Sequence, residues 1–207
     1  MHTKPVYVIG AGGHSKVVID ALVANGVAIE QIRLLDSDPG ITGKQVLGIS
    51  IGMLEIQRCG GEWDFHVAIG NNAVRARLSA QLATTGGRAL SVIHPSASVS
   101  RFASVGPGAF VAAKAIIGPG ASVADGVIVN HGAVIDHDCL VDAFCHLAPN
   151  TTLGGAVVIG ERVLIGAGAN LLPSIRIGIG ATVGAGAVVL ADVPASQTWA
   201  GVPAQKI

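Results

Sequence analysis

Within one short run, this chain sets down seven side chains able to move protons or hold a polar ligand: Asn130, His131, Asp136, His137, Asp138, Asp142 and His146. Three of its seven histidines lie there. A histidine flanked by carboxylates, as His137 is by Asp136 and Asp138, can be held in one tautomer with its imidazolium stabilised. Those are the requirements of a general base working near neutral pH. The bland alternative is a set of solvated surface residues. A lone histidine would fit that alternative; the cluster favours chemistry.

A second candidate lies near the start. Val6 to Ile9 reads as a buried strand, followed by Gly10-Ala11-Gly12-Gly13-His14-Ser15 and a helix. Strand, glycine-rich turn and helix in that order aim backbone N–H groups at an anion such as a phosphate. The match to a dinucleotide fingerprint is partial, because Ser15 stands where the last glycine belongs. Asp36, ending the second apolar run, falls where such folds hydrogen-bond a ribose hydroxyl. The unit supplies half of a dinucleotide fold, so a sugar nucleotide is expected before NAD. Glycines that only allow tight strand-to-helix packing are the structural alternative.

The element that must hold the histidine cluster is a repeat. From Ile93 to Val189 every sixth residue is aliphatic, through Val111, Ile117, Ile135, Val141, Leu147 and Ile165. Four residues after each comes a compact side chain, such as Ala97, Ala115, Ala133, Cys139, Cys145 or Ala169. A fixed period of six fits neither a helix nor a simple strand and marks a parallel β-helix. Three hexads make a triangular coil, with the aliphatic residue inside and the compact one beside the corner. Glycine often follows the aliphatic residue, as at Gly118 and Gly166, where it permits backbone angles a Cβ would forbid. Stacked at strand spacing, the coils build a prism on the order of 25 Å tall. Cys139 and Cys145 fall in the compact inward slot and read as core fillers; Cys59 carries no signal.

Ahead of the repeat, strands and helices alternate. Val17, Val18, Ala21 and Leu22 mark a helix face that stops near Asn25-Gly26, Ile32 to Leu35 is a strand, and Met53 to Gln57 reads as helical. Phe65 to Ile69 is a third strand, a helix runs from about Ala73 to Thr84, and Ala89 to Ile93 returns as a strand. The expected layout is an α/β domain over 1–88, a β-helix over 89–193 and a tail over 194–207.

Charged residues are only 13% and aromatics 3% of the 207 residues, and the formal net charge is zero. Without a basic run, nucleic acid is not an expected partner. Three cysteines are too few for a disulfide framework. No apolar run approaches a membrane span and no secretory leader is evident, so no membrane insertion and a cytoplasmic location are expected.

The whole chain resembles the sialic acid O-acetyltransferase and PglD-like nucleotide-amino-sugar N-acetyltransferase family of hexapeptide-repeat acyltransferases. The marks are Ile9-Gly10-Ala11-Gly12-Gly13-His14, Ile69-Gly70-Asn71-Asn72, Asn130 with Ile135-Asp136-His137-Asp138, His146, and Gly201-Val202-Pro203-Ala204. The resemblance implies a small, half-Rossmann-like parallel sheet followed by a left-handed β-helix, in a homotrimer with active sites between subunits. It also implies acetyl-CoA as co-substrate and a nucleotide sugar as acceptor. His137 would be the catalytic base and Asp138 its orienting partner, with Asn130 and Asp136 beside the acceptor sugar. His146 would contact acetyl-CoA, while Gly12, His14, Ser15, Asp36 and Asn71 would surround the nucleotide. The thin pantetheine arm would lie over exposed small corners such as Gly155, Ala167 and Ala185. The family often has glutamate where Asp138 stands, which leaves the division of labour between Asp136 and Asp138 open.

The expected reaction is acetyl transfer to the amine of a UDP- or GDP-linked 4-amino-4,6-dideoxy sugar, GDP-perosamine among them. A sugar O-acetyltransferase shares every motif. A β-helical zinc hydratase would use His131, His137 and His146; residues on one face should differ by multiples of eighteen and these do not, which leaves ligation across a subunit boundary as its route, and no metal is expected. A non-enzymatic scaffold would need no histidine–carboxylate cluster.

Overall fold

The computed structural model describes residues 4–56 and 62–207. Its first part is a sheet with strand order β3-β4-β2-β1-β5-β6, formed by β1 (Val6–Ile9), β2 (Ile32–Asp36), β3 (Gln45–Val46), β4 (Ile49–Met53), β5 (Trp63–Val67) and β6 (Gly87–Ala89). All pairs are parallel except β3–β4, a hairpin. Helix α1 (Gly13–Ala24) follows β1 and α2 (Asn72–Ala83) follows β5. Parallel neighbours need crossovers, and these helices supply them for β1–β2 and β5–β6, while β2 reaches β4 through the segment that carries β3.

Two local expectations change. Met53 closes strand β4 instead of opening a helix, because Ile49 and Ile51 alternate inward against β2; Gln57 and Cys59 lie outside the described residues. Ala89 to Ile93 splits, with Gly87–Ala89 completing the α/β sheet and Val92–Ile93 starting the prism.

From Val92 onward, two-residue strands stack eighteen apart: Phe110 pairs with Ile128, Ile128 with His146, and His146 with Leu164. Three parallel faces result. The first carries Val92, Phe110, Ile128, His146, Leu164 and Thr182 on its outside; the second begins at Ser98–Val99 and the third at Ser104–Val105. The every-sixth aliphatics from Val111 to Val189 and the compact residues between them form one buried core, Cys139 and Cys145 included. The tail extends this solid: Thr198–Ala200 pairs with Thr182–Val183, then folds back on Gln205–Lys206, so that Trp199 and Ala204 close the lower end of the core.

The corners refine the role of glycine. From position 108 to 186, the third residue after each inward aliphatic has positive φ, whether glycine or, as at Asp138, φ 59°. The glycines directly after the aliphatic are not in that region; at Gly118 an added Cβ would stand 2.9 Å from the Asp136 carbonyl carbon in the next coil. Their task is clearance between coils.

The α/β part docks on the first face. Val18, Ile19, Ala21 and Leu22 of α1 share a core with Val92, Phe110 and Ile128. Helix α1 is therefore buried on two sides, which is why Ile19 joins its inward face. Asn25 ends α1 and ties it down, donating to Ala21 O at 2.7 Å and to Ile93 O at 2.8 Å. Among the described residues no helix is long and apolar enough to cross a membrane.

Candidate active site

The corner between the second and third faces holds Asp136, His137 and Asp138. Asp138 takes the left-handed conformation that aspartate tolerates better than most residues. Its carboxylate turns back to His137, with Nδ1 donating to Oδ2 at 2.9 Å. The shorter arm of aspartate therefore reaches the ring. Asp136 is occupied otherwise, accepting the His137 backbone N–H at 2.7 Å. With the proton on Nδ1, Nε2 keeps a lone pair. The hydrogen bond to Asp138 and the nearby charge of Asp136 push the His137 pKa above the ordinary imidazole value. The ring lies over Gly155, eighteen residues on, where an added Cβ would stand 2.5 Å from Nε2. Gly155, expected as an exposed corner, is thus covered by His137 and buried. Ala167 and Ala185 are exposed and stack on the corner below His131, one vertex away.

A second group gathers where the α/β part meets the first face. His146 projects from that face between the two parts, with Nδ1 3.4 Å from Gly70 O and Nε2 3.2 Å from Asn130 Nδ2. His14 approaches from the glycine loop, its ring centroid 6.4 Å from that of His146 and 5.1 Å, edge-on, from Phe110. Burial, reinforced by repulsion from His66, His146 and Arg75, drives the His14 pKa down to about 3. His66 on β5 is lowered to about 4, again chiefly by burial. His146 is also lowered, by burial and then by the Arg75 charge. All three are neutral at physiological pH.

The glycine loop is held from behind. Asp36 accepts from Ala11 N at 2.7 Å and from Asp38 N at 3.0 Å, so it braces the turn beside Gly12. Ser15, expected to face a ligand, is fully buried and donates to Gly12 O at 2.7 Å; its small hydroxyl fits where the fingerprint has glycine and shapes the loop from inside. Asn71 caps α2, accepting from Val74 N at 3.0 Å. Beside it opens a groove of about 450 Å³ bounded by Gly70, Asn71, Ala73, Arg162, Leu164 and Thr182.

Two features escaped the sequence reading. Arg75 is 1% exposed and bonds both to the Gly70 loop and to the prism. Its signal was its place three and seven residues before Leu78 and Leu82, on the inward stripe of α2. The docking face was also legible, since Val92, Phe110 and Ile128 put large apolar residues in three successive outward slots of one face. His131, His137 and His146 stay apart, on two corners and one face. Among the described residues no three His, Cys, Asp or Glu side chains group as metal ligands.

Residues 5–82 match the family model of the PglD N-terminal domain. A variant of GDP-perosamine N-acetyl transferase from Caulobacter crescentus, solved in complex with CoA and GDP-perosamine, is 37% identical, covers 100% of this chain and 98% of its own, and superposes with a TM-score of 0.91. The acetyltransferase domain of PglB from Neisseria gonorrhoeae, in complex with acetyl coenzyme A, is 38% identical over 100% of both chains, with a TM-score of 0.89. UDP-3-O-acylglucosamine N-acyltransferase from Caulobacter sp. (strain K31) is 37% identical over 71 residues, a stretch spanning 34% of this chain and 21% of that relative. With an α/β part and a β-helix matched end to end by such relatives, this chain belongs to the PglD-like family of hexapeptide-repeat acyltransferases.

Proposed function

We propose that the chain transfers an acetyl group from acetyl-CoA to the amine of a nucleotide-linked amino sugar, a UDP- or GDP-4-amino-4,6-dideoxy sugar such as GDP-perosamine, with His137 as general base. The observation that carries this reading is the His137–Asp138 pair, which leaves Nε2 as the basic atom on an otherwise plain corner. Acetyl-CoA, when bound, supplies the thioester carbon: a C–N bond forms there, the C–S bond breaks and the thiolate leaves. His137 takes the amine proton at Nε2, and Asp138 and Asp136 stabilise the resulting imidazolium. Asn130 and Asp136 are assigned to the acceptor sugar, and Gly12, His14, Asp36 and Asn71 to the surroundings of its nucleotide. His146, with the small exposed Ala167 and Ala185, is assigned to the acetyl-CoA side. A sugar hydroxyl would use the same base; the likeness to N-acetyltransferases favours the amine.

The active assembly would be a homotrimer working in the cytoplasm. Within one chain, His137 stands on the vertex opposite the face that the α/β part covers, so its own glycine loop lies across the prism. A neighbouring copy would bring the two together. Ile116 and Leu140, 44% and 50% exposed on the two faces left uncovered, offer apolar surface for that contact.

The test supplies acetyl-CoA with UDP- and GDP-amino sugars side by side and follows CoA release. His137→Ala is expected to lower kcat by roughly 10²- to 10⁴-fold, the usual worth of a general base, with melting temperature and oligomeric state unchanged. Near-normal rates in a folded His137→Ala protein would remove the mechanism. Turnover confined to sugars lacking the amine would move the assignment to O-acetylation.

A further inference from the structure

Arg75 does more than its burial requires. Among the described residues its hydrogen-bond partners are all neutral oxygens: Nε donates to Gly126 O at 2.7 Å, Nη1 to Ile69 O at 2.9 Å and Gly70 O at 3.2 Å, and Nη2 to Asn72 Oδ1 at 2.9 Å, Phe144 O at 2.8 Å and Cys145 O at 3.1 Å. The bonds to Gly126, Phe144 and Cys145 would be enough to fasten α2 to two coils of the prism. The pair to Ile69 and Gly70 holds the strand-to-helix loop that borders the groove. One carbonyl of that loop, Gly70 O, also meets His146 Nδ1.

The protonation of His146 follows from its neighbours. Asn130 Oδ1 accepts the His131 backbone N–H at 2.9 Å, which fixes the amide orientation and leaves Nδ2 facing His146 Nε2 at 3.2 Å. An amide NH₂ can only donate, so Nε2 must carry the lone pair. The ring proton then sits on Nδ1 and is directed at Gly70 O. Solvent-exposed imidazole in water has no such constraint; here Asn130 at Nε2 and the carbonyl Arg75 pins at Nδ1 select the tautomer together.

We propose that Arg75 is a positioning residue of this site: by holding the Gly70 carbonyl in reach of Nδ1, it completes with Asn130 the pair of contacts that keeps the His146 imidazole as the Nδ1–H tautomer. The consequence for turnover rests on the acetyl-transfer reading above; the tautomer does not.

The experiment uses the full chain labelled with ¹⁵N, reading imidazole nitrogen shifts between pH 5.5 and 8, with the His146 signals identified by their loss in His146→Gln. The wild type is expected to show the Nδ1–H pattern for His146. Arg75→Lys keeps the charge but loses the forked donors, and is expected to give mixed tautomers. Its kcat/KM for the amino sugar should drop about tenfold, the scale of one hydrogen bond to a placed group. A loss of melting temperature alone would mark a fastener only. A wild-type His146 protonated on Nε2 overturns the proposal even if the lysine variant fails to fold. An unchanged tautomer in folded Arg75→Lys overturns it too, as does an altered tautomer with unchanged kcat/KM. A wild type inactive on every amino sugar sinks the acetyl-transfer reading instead, and the tautomer still decides the case of Arg75.

Discussion

Replacing Gly155 by alanine should strike the proposed base while sparing the fold. Gly155 is not at positive φ, so its backbone accepts a Cβ without strain. The space does not: that Cβ would stand 2.5 Å from His137 Nε2, 2.6 Å from Cε1 and 3.2 Å from Cδ2. Carbon contacts are comfortable from about 3.5 Å, so the ring must retreat by about 1 Å. The His137 side chain is 57% exposed and can swing into solvent, which keeps the cost to stability small. The swing breaks the 2.9 Å bond to Asp138 and moves Nε2 off its line. A misplacement of ~1 Å costs on the order of 10²-fold in rate, equal to about 2.7 kcal/mol of barrier. The assay is kcat for CoA release from saturating acetyl-CoA and amino sugar, alongside a thermal melt. Gly168→Ala is the reciprocal control. Its Cβ would meet nothing within 4 Å, but its φ of 70° is the left-handed region, so stability should suffer and kcat should not. Wild-type kcat in a folded Gly155→Ala protein would refute the seating of His137 on Gly155.

The other predictions concern protons. Because the His137 pKa is raised above 6.5, the base is protonated and idle below that value, and kcat/KM should fall as pH drops through a point above 6.5; Asp138→Asn removes the main cause and should move that acid limb downward, and an unmoved limb would detach Asp138 from the base. His66 and His14 have folded pKa values of about 4 and about 3 against 6.5 unfolded, so the unfolded state takes up the proton first and stability drops as pH falls below 6.5. Between pH 7.5 and 5.0 linkage gives a loss of about 2 kcal/mol for each. His137 has the opposite sign, so the clean reading is a difference: His66→Phe should shrink the acid-induced loss by about 2 kcal/mol in urea unfolding, and an identical pH slope in both proteins would show that His66 is not buried as described.

The prism was legible because coil geometry leaves the sequence little choice. An inward slot every sixth residue must be aliphatic, and the slot beside the corner must be compact, so the period survives in the letters. The corners were less legible. Glycine occurs for two reasons, left-handed φ at Gly168 and clearance between coils at Gly118, and composition does not separate them. Ser15 and Gly155 were misplaced for a related reason: a polar or small residue in a loop looks ligand-facing until its neighbours are known. Arg75 was hidden because arginine on a helix ordinarily faces water, and half of the oxygens that make its burial tolerable are carbonyls from 126, 144 and 145, some fifty to seventy residues away.

The same coil geometry divides the candidate residues in a way that bears on how the site would work. His131 and His137 sit on successive corners of one coil, yet the second face lies between them, and the α/β part docks on the first face and, through Arg75, on its corner with the third. The glycine loop, His14, Asn130 and His146 gather on the covered side, whereas Asp136, His137 and Asp138 look out from the far vertex. Under the proposed reading one chain would carry two half-sites back to back. The electrostatics differ accordingly: the buried half keeps its histidines neutral, and the exposed half keeps one histidine basic through two carboxylates. A neutral polar pocket suits binding and orientation, and a basic imidazole suits proton removal. Under the proposed reading the two half-sites have to come from different copies. The symmetry of the assembly, more than any loop within the chain, would then set the distance between the base and the amine.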